Sequence, residues 1–500
     1  MISNFVKRCQ DIMHNDAGVN GDAQRIEQMV WILFLKVYDA KEQNWELESE
    51  DYQSIIPDYL RWSKWAVDHK DGKAKTADEL LDFINNELFP TLKDIPIHAA
   101  TPMNHRIVKA TFEDNNNYMK DGVLLRQLIN IIDEIDLDDY KERHSFGEMY
   151  ETILKDLQNA GNAGEFYTPR AVTDFVAQIM QPKLGDKIAD FACGTGGFLT
   201  SSLKVLEQQV QTAEDRERYS QSIFGIEKKA LPFLLCSTNM LLHDIDKPAI
   251  FHDNSLENHS RHIEDKDKFE IILMNPPFGG NEKNSVKANF ATEFRSSETA
   301  DLFMSVIMDR LKKGGRAAVV LPDGFLFGSD NVKTALKKKL LTSFNLHTII
   351  RLPHSVFAPY TSINTNILFF DNLVDKKGEP IGTTETWFYR LDMPEGYKNF
   401  SKTRPILIQH FDEVKNWWHN REIIIEEKGE QTFDKARSFT PKELEENHYN
   451  FDLCGVPFEE EQILTPTELM QKYNAERKNL EQDIDAILQS ITELLPEESE

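Results

Sequence analysis

The sequence predicts an α/β chain: a doubly wound, mostly parallel sheet, preceded by an all-α amino-terminal domain and followed by a carboxyl-terminal helical tail. Three observations carry this expectation. Between 171 and about 370, short apolar runs of strand length alternate with longer runs of helical period. Residues 1 to about 145 show helical spacing and little that reads as strand. Beyond 465, seam residues recur in alternating steps of four and three.

The elements follow in chain order. Residues 22–29 lead into the apolar run Met29 to Leu35, with Asp22 placed to cap a helix, and Trp31, Phe34, Leu35 and Tyr38 recur at helical spacing. Further helices are expected at 77–88 and 123–135, and a connecting helix at 146–157. Thr168 can cap the next helix, with Pro169 in its first turn. Strands are expected at 187–191, 222–227, 249–252, 269–275, 316–322, 346–352 and 366–370. Helices at 197–209, 231–243, 301–313 and 332–341 separate many of them, and Lys337, Lys338 and Lys339 read as a solvated helix face. Residues 371–460 mix short strands, charged turns and aromatics without a definable fold. Thr465 to Glu468 has capping-box spacing. Tyr473, Arg477, Leu480, Ile484, Ile487, Ile491 and Leu494 then form a short heptad seam, interrupted by the arginine. The expected domains are 1–145, helical; 146–400, the sheet; 401–464, a mixed extension; and 465–500, an amphipathic helix for subunit contact.

Composition narrows the function. Four widely spaced cysteines with no CxxC pair argue against a zinc site or a disulfide framework and fit a reducing cytoplasm. No metal site is expected. No signal-peptide pattern is seen, and the apolar run Met29 to Leu35 is far short of the ~18–20 residues that span a bilayer. A formal net charge of −26 is awkward for an enzyme acting on a polyanion. The segment 451–500, with 13 acidic and 3 basic residues, adds to it. Either the substrate is not nucleic acid, or another chain supplies the basic surface.

Two motifs carry chemistry. Asn275-Pro276-Pro277-Phe278 directly follows a hydrophobic strand. The prolines donate no N–H and stiffen the chain. The Asn275 amide and the Pro276 carbonyl then stand as fixed acceptors beside the flat face of Phe278. This suits a planar substrate with an exocyclic NH2, adenine first among them. Upstream, Asp190 to Phe198 reads as strand end, Gly-rich turn and helix, in the pattern Asp-x-x-x-Gly-x-Gly-Gly. This is not the dinucleotide fingerprint. Asp190 can meet a ligand ammonium, Glu227 can accept two ribose hydroxyls, and Asp253 can accept from an adenine NH2. Asp190, Glu227, Asp253 and Asn275 all fall at or just after expected strand ends, where one cleft can collect them. Asn281 and Lys283 follow in a polar loop. His354 and Phe357 either form the opposite wall of a base pocket or simply pack their loop.

Together these motifs resemble the S-adenosylmethionine (SAM) site of amino-group methyltransferases. With Glu165-Phe166-Tyr167-Thr168-Pro169-Arg170 placed before the Gly-rich loop, and Asn275 to Gly280 last, the order resembles the gamma arrangement of adenine-N6 DNA methyltransferases. The whole chain resembles the modification subunit of type I restriction–modification systems, least clearly over 371–460. One departure is Phe191, where many relatives carry proline. The resemblance implies a SAM-dependent methyltransferase sheet. It implies cofactor contacts at Glu165, Phe166, Tyr167, Thr168, Pro169 and Arg170, at Gly194, Thr195, Gly196 and Gly197, and at Asp190, Glu227 and Asp253. It implies catalytic roles for Asn275, Pro276, Pro277 and Phe278. It also implies partners: double-stranded DNA, one DNA-specificity subunit shared by two modification subunits, and restriction subunits that join them, with SAM also acting as an effector. A self-sufficient gamma-type enzyme that reads DNA through 371–500 is the alternative, and the acidic tail disfavours it.

Overall fold

The computed structural model describes residues 2–455, except 99, 138–145, 148–149, 151–166, 258, 260–262, 402 and 429–430, together with 470, 473–474, 477–478, 481 and 484. Glu165, Phe166 and most of the expected helix 146–157 therefore lie outside the described residues, as does most of the heptad seam.

The front of the chain is helical, as its periodicity predicts. The helix Gly21–Glu48 buries every residue from Gln28 to Asp39, so it runs through a core rather than over one. Trp31, Phe34 and Tyr38 pack there with Phe89 and Phe112. Asp22 does not cap this helix: Asn20 stands at the N-cap, and Asp22 sits in the first turn, 2.7 Å from Arg25. The expected helix 77–88 begins as Ala77–Asp82 and widens into a π-helical stretch, Phe83–Leu88, before Phe89–Lys93. Pro90 supplies the reason, because it can donate no N–H to the preceding turn.

All seven expected strands form. They are β1 (Ile188–Asp190), β2 (Ile223–Glu227), β3 (Ala249–His252), β4 (Phe269–Met274), β5 (Leu311–Pro322), β6 (Asn345–Arg351) and β7 (Thr365–Asp371). Three more, β8 (Thr386–Arg390), β9 (Ile424–Lys428) and β10 (Gln431–Phe439), extend the same sheet. The order is β3-β2-β1-β4-β5-β7-β6-β8-β10-β9. From β3 to β5 every pairing is parallel. Beyond β5 the parallel run is interrupted, because β7 lies antiparallel between β5 and β6, while β6 and β8 pair parallel again. The connection from Arg351 to Thr365 carries no crossover helix, in keeping with an antiparallel return. The stretch 371–460, unassigned from sequence, thus supplies edge strands and the short helix Asp412–His419.

The helix Ala230–Leu242 joins the two layers. It is buried on all sides from Leu231 to Leu242. Leu234, Leu235, Leu241 and Leu242 belong to the amino-terminal core, while Phe233, Cys236 and Met240 belong to the core under the sheet. Lys41 clamps the end of this connection, 2.7 Å from Asp244 and 3.1 Å from Asp246.

Residues Val456–Glu500 form a second unit. Of its expected seam, Tyr473, Arg477 and Ile484 are described. All three are helical, Tyr473 and Ile484 are more than half exposed, and Arg477 pairs with Glu481 at 2.8 Å.

Candidate active site

A cavity of about 460 Å³ opens at the carboxyl ends of β1, β2, β3 and β4. The chain reverses its winding direction between β1 and β4, so the cleft lies where such sheets bind ligands. Asp190, Glu227, Asp253, Asn275, Pro276, Pro277 and Phe278 all line it, with Tyr167, Thr168, Gly194, Thr195 and Gly197. Pro169, Arg170 and Gly196 stand behind that wall. Arg170 turns away to donate to Thr200 at 2.9 Å.

β1 ends in Asp190, which is 2% exposed. Its carboxylate accepts from Ala192 N–H at 3.1 Å, and among the described residues no lysine or arginine pairs with it. Burial raises its pKa to about 8, and the neighbouring Glu227 pushes in the same direction. β2 ends in Glu227, buried, whose two oxygens accept from Gly194 N–H (3.0 Å) and Lys229 N–H (2.7 Å). Burial raises its pKa too, opposed by those backbone donors. These bonds tie the Gly-rich turn to the second strand. Gly196 precedes the helix Gly197–Glu207 with φ +82°, and a Cβ there would come within 2.9 Å of Cys236 Sγ. Any other residue would have to move the turn.

After β3, Asp253 is exposed at the cavity wall and accepts from the Asn254 N–H at 2.7 Å. Asn254 is 8% exposed, and its Nδ2 is a buried donor without a partner among the described residues. An acceptor and an unused donor on adjacent residues match the edge of an adenine ring. Sequence reading named the aspartate and passed over the asparagine. The Asn-Ser pair after a strand was the available signal.

After β4, Asn275 donates from Nδ2 to Thr168 Oγ1 at 3.1 Å, while its Oδ1 is buried with no partner among the described residues. The reason is local. An asparagine oxygen in a turn ordinarily caps the N–H two residues on. Here residues 276 and 277 are both proline and offer no N–H. The sequence expectation that Thr168 caps its helix, with Pro169 in the first turn, is not met. Pro169 occupies the N-cap with no side-chain cap bond, and the threonine turns to the asparagine instead.

Phe278 is half-buried and meets Phe357 edge-on, ring centroids 6.3 Å apart. Phe357 and Tyr360 line the cavity. His354 does not; it is exposed and bonds the Lys398 carbonyl at 2.9 Å. Tyr360 was missed by sequence reading, as was an ion pair at the cavity wall, Lys228 to Glu282 at 3.0 Å. The latter ties the loop after Phe278 to the end of β2.

Comparison with known proteins agrees with this geometry. Residues 141–462 match the N-6 DNA Methylase family, and residues 2–132 match the HsdM N-terminal domain. The EcoEI type I restriction enzyme methylase subunit of Escherichia coli is 46% identical over 482 residues, 96% of this chain and 95% of that protein. The EcoKI methylase subunit of Escherichia coli K12 is 27% identical over 82% of this chain and 74% of its own length. A solved chain from a study of complex assembly and conformational transition in a type I system superposes with TM-score 0.79 at 32% identity, covering 100% of this chain and 99% of its own. The fold, the site and these matches agree: the chain belongs to the methylase subunits of type I restriction–modification systems, a family of adenine-N6 DNA methyltransferases.

Proposed function

We propose that the cavity holds SAM and a flipped adenine side by side, and that the Asn275 amide presents the adenine N6 for methylation. The observation that carries this reading is one cavity wall that holds both a buried Asp190 carboxylate with no lysine or arginine beside it and a buried Asn275 Oδ1 with no partner, among the described residues. A buried carboxylate and a free buried acceptor facing one cavity suit an ammonium group and an amine hydrogen. The donor set fits SAM. Asp190 suits its ammonium, Glu227 its ribose hydroxyls, and Asp253 with Asn254 the edge of its adenine. The amide N–H groups at the start of the helix Gly197–Glu207 favour an anion. Of the contacts expected at 165–170, we assign Tyr167 to the cofactor side, while Thr168 meets Asn275.

Bound SAM supplies a methyl group on a sulfonium, already activated for transfer. The chain supplies position. Adenine N6 is a weak nucleophile because its lone pair is delocalised into the ring. Asn275 Oδ1 and the Pro276 carbonyl each accept one N6 hydrogen, which favours a pyramidal nitrogen with its lone pair turned toward the methyl. This is orientation and electrostatic stabilisation; an amide is no base at neutral pH. Phe278 stacks on the base, and Phe357 and Tyr360 close the far side. A base within a duplex cannot enter, so it is flipped out.

The net charge of −26 is resolved in trans. We propose an assembly of two such chains with one DNA-specificity subunit that reads sequence and carries basic surface, joined by restriction subunits in the full complex. In this reading residues 1–145 and 465–500 are the assembly domains, flanking a catalytic domain at 146–400 and its extension at 401–464. No helix among the described residues is long and apolar enough to cross a membrane, and all four cysteines are free and buried, in keeping with a cytoplasmic enzyme. The test is methyl transfer from radiolabelled SAM to duplex DNA, with this chain alone and with its co-encoded specificity subunit. Activity is expected only with the partner. Sequence-specific activity from the chain alone would instead place recognition in 371–500.

A further inference from the structure

We propose that Thr168 is a positioning residue for methyl transfer: its hydroxyl accepts from Asn275 Nδ2 and so turns Oδ1 toward the reacting amine. The inference rests on the reading of Asn275 given above and deepens it. The two ends of an asparagine amide are nearly equal in size and opposite in hydrogen-bonding sense. Presented one way, the amide accepts from an exocyclic NH2; presented the other way, it opposes donor with donor. Something must choose. The local chain cannot, because Pro276 and Pro277 have no N–H to hold Oδ1. Among the described residues the one partner found for this side chain is Thr168 Oγ1, 107 residues away in sequence; a hydroxyl can donate as well as accept, and here it accepts from Nδ2 at 3.1 Å. Thr168 is available for the task. It lines the same cavity, and its helix starts at Arg170 without using the hydroxyl as a cap. The threonine therefore acts through Asn275 and need not touch either substrate.

The same bond explains why the segment before the helix Arg170–Met180 belongs to the reacting end of the cavity. It joins the first segment of the catalytic domain to the turn after β4. Thr168 thereby links placement of that segment to orientation of the amide.

The experiment uses the complex of this chain with its specificity subunit and compares Thr168→Val, Thr168→Ser and Asn275→Ala. Two quantities are read: the single-turnover rate of adenine methylation at saturating SAM, and the dissociation constant for SAM by calorimetry. Thr168→Val keeps the shape and removes the acceptor. The expected result is a rate slower on the order of ten- to a hundredfold with SAM affinity unchanged. Thr168→Ser, which keeps the hydroxyl, should restore most of the rate. A weakened SAM affinity with an unchanged saturated rate would make Thr168 a cofactor ligand and overturn the proposal. Serine as slow as valine, or valine as fast as the parent, would overturn it as well. An active Asn275→Ala would remove the reading beneath it, a separate failure that the same assay shows. If Thr168→Val melts early, Thr168→Ala is judged by the same two readouts.

Discussion

The two halves of the one sheet treat buried polar groups in opposite ways. Beyond β5, every large buried cation is closed by partners. Arg390, 1% exposed, bonds Asp392 and Glu426 at 2.7 Å each. Arg351 bonds Asp323 and Asp452. Lys435 bonds Glu413 at 2.7 Å. From β3 to β4, among the described residues, Asp190 has no cation, Asn275 Oδ1 has no donor, and Asn254 Nδ2 has no acceptor. The paired half ties edge strands from a charged stretch of chain onto the sheet. The unpaired half stores the recognition of molecules that arrive later. Single unpaired atoms such as Tyr38 Oη and Tyr389 Oη occur elsewhere, but at the site they gather on the wall of one cavity, and that gathering separates site from architecture.

That contrast can be broken in several ways. Asn275→Ala should have the largest effect, a loss of methylation on the order of a thousandfold with SAM affinity nearly unchanged, checked by radiolabel transfer and calorimetry. Loss of SAM binding along with activity would return the asparagine to the architectural class. Arg390→Met should leave Asp392 and Glu426 with only the more distant Lys435, 3.4 and 3.8 Å away, to balance them. It should lower stability by roughly 2–4 kcal/mol in urea unfolding, discounted for the partial exposure of both carboxylates. A neutral outcome would show that the paired half is not held by its pairs.

Asp190→Asn should do the reverse. SAM binding should weaken on the order of ten- to a hundredfold, because a charged hydrogen bond is lost. The cofactor-free protein should melt higher than the parent at pH 8 and equal to it at pH 4. The sign follows from burial. Asp190 is held up to about 8 in the folded chain, against about 3.9 for an unfolded aspartate. Its contribution is fully present below about pH 4 and is lost as pH rises toward 8. Glu227, also raised, adds to that slope. Bound cofactor should flatten it, so the SAM-induced rise in melting temperature should grow between pH 5 and 8. A pH-independent rise would mean that no cation meets Asp190.

The smallest effect concerns Lys337. It is fully buried and donates to the Leu326 and Gly328 carbonyls at 2.6 and 2.8 Å. Burial lowers its pKa to about 8, below the ~10.4 of an unfolded lysine, so stability should climb between about pH 8 and 10 as the folded chain sheds its proton first. Lys337→Met should abolish that climb.

Lys337 also shows where sequence reading stops. A run of three lysines reads as solvent-facing, yet the helix Asn331–Ser343 buries Lys333, Leu336, Lys337, Leu340 and Leu341 on one face. The spacing of those leucines was the signal, and the charge masked it. The seven strands from 187 to 371 were legible because their apolar runs end in turn residues. β9, Ile-Ile-Glu-Glu-Lys, was not, because an edge strand needs no alternating pattern. Within the site, residues at strand ends were legible as candidates. The Thr168–Asn275 bond was not, since neither motif refers to the other along the chain. Asn254 and Tyr360 were missed because each is ordinary in its own loop and acquires meaning only from the cavity wall.

The helix Ala230–Leu242, with one flank in each core, has a further consequence. A seam of loops would let the front helices swing or be cut away. A shared helix forbids both, since removing residues 1–137 would strip the cover from Leu234, Leu235, Leu241 and Leu242 in one stroke. One element thus carries both covers: its other flank presents Cys236 and Met240 against Gly196, so the same helix that seals the amino-terminal core also backs the Gly-rich turn.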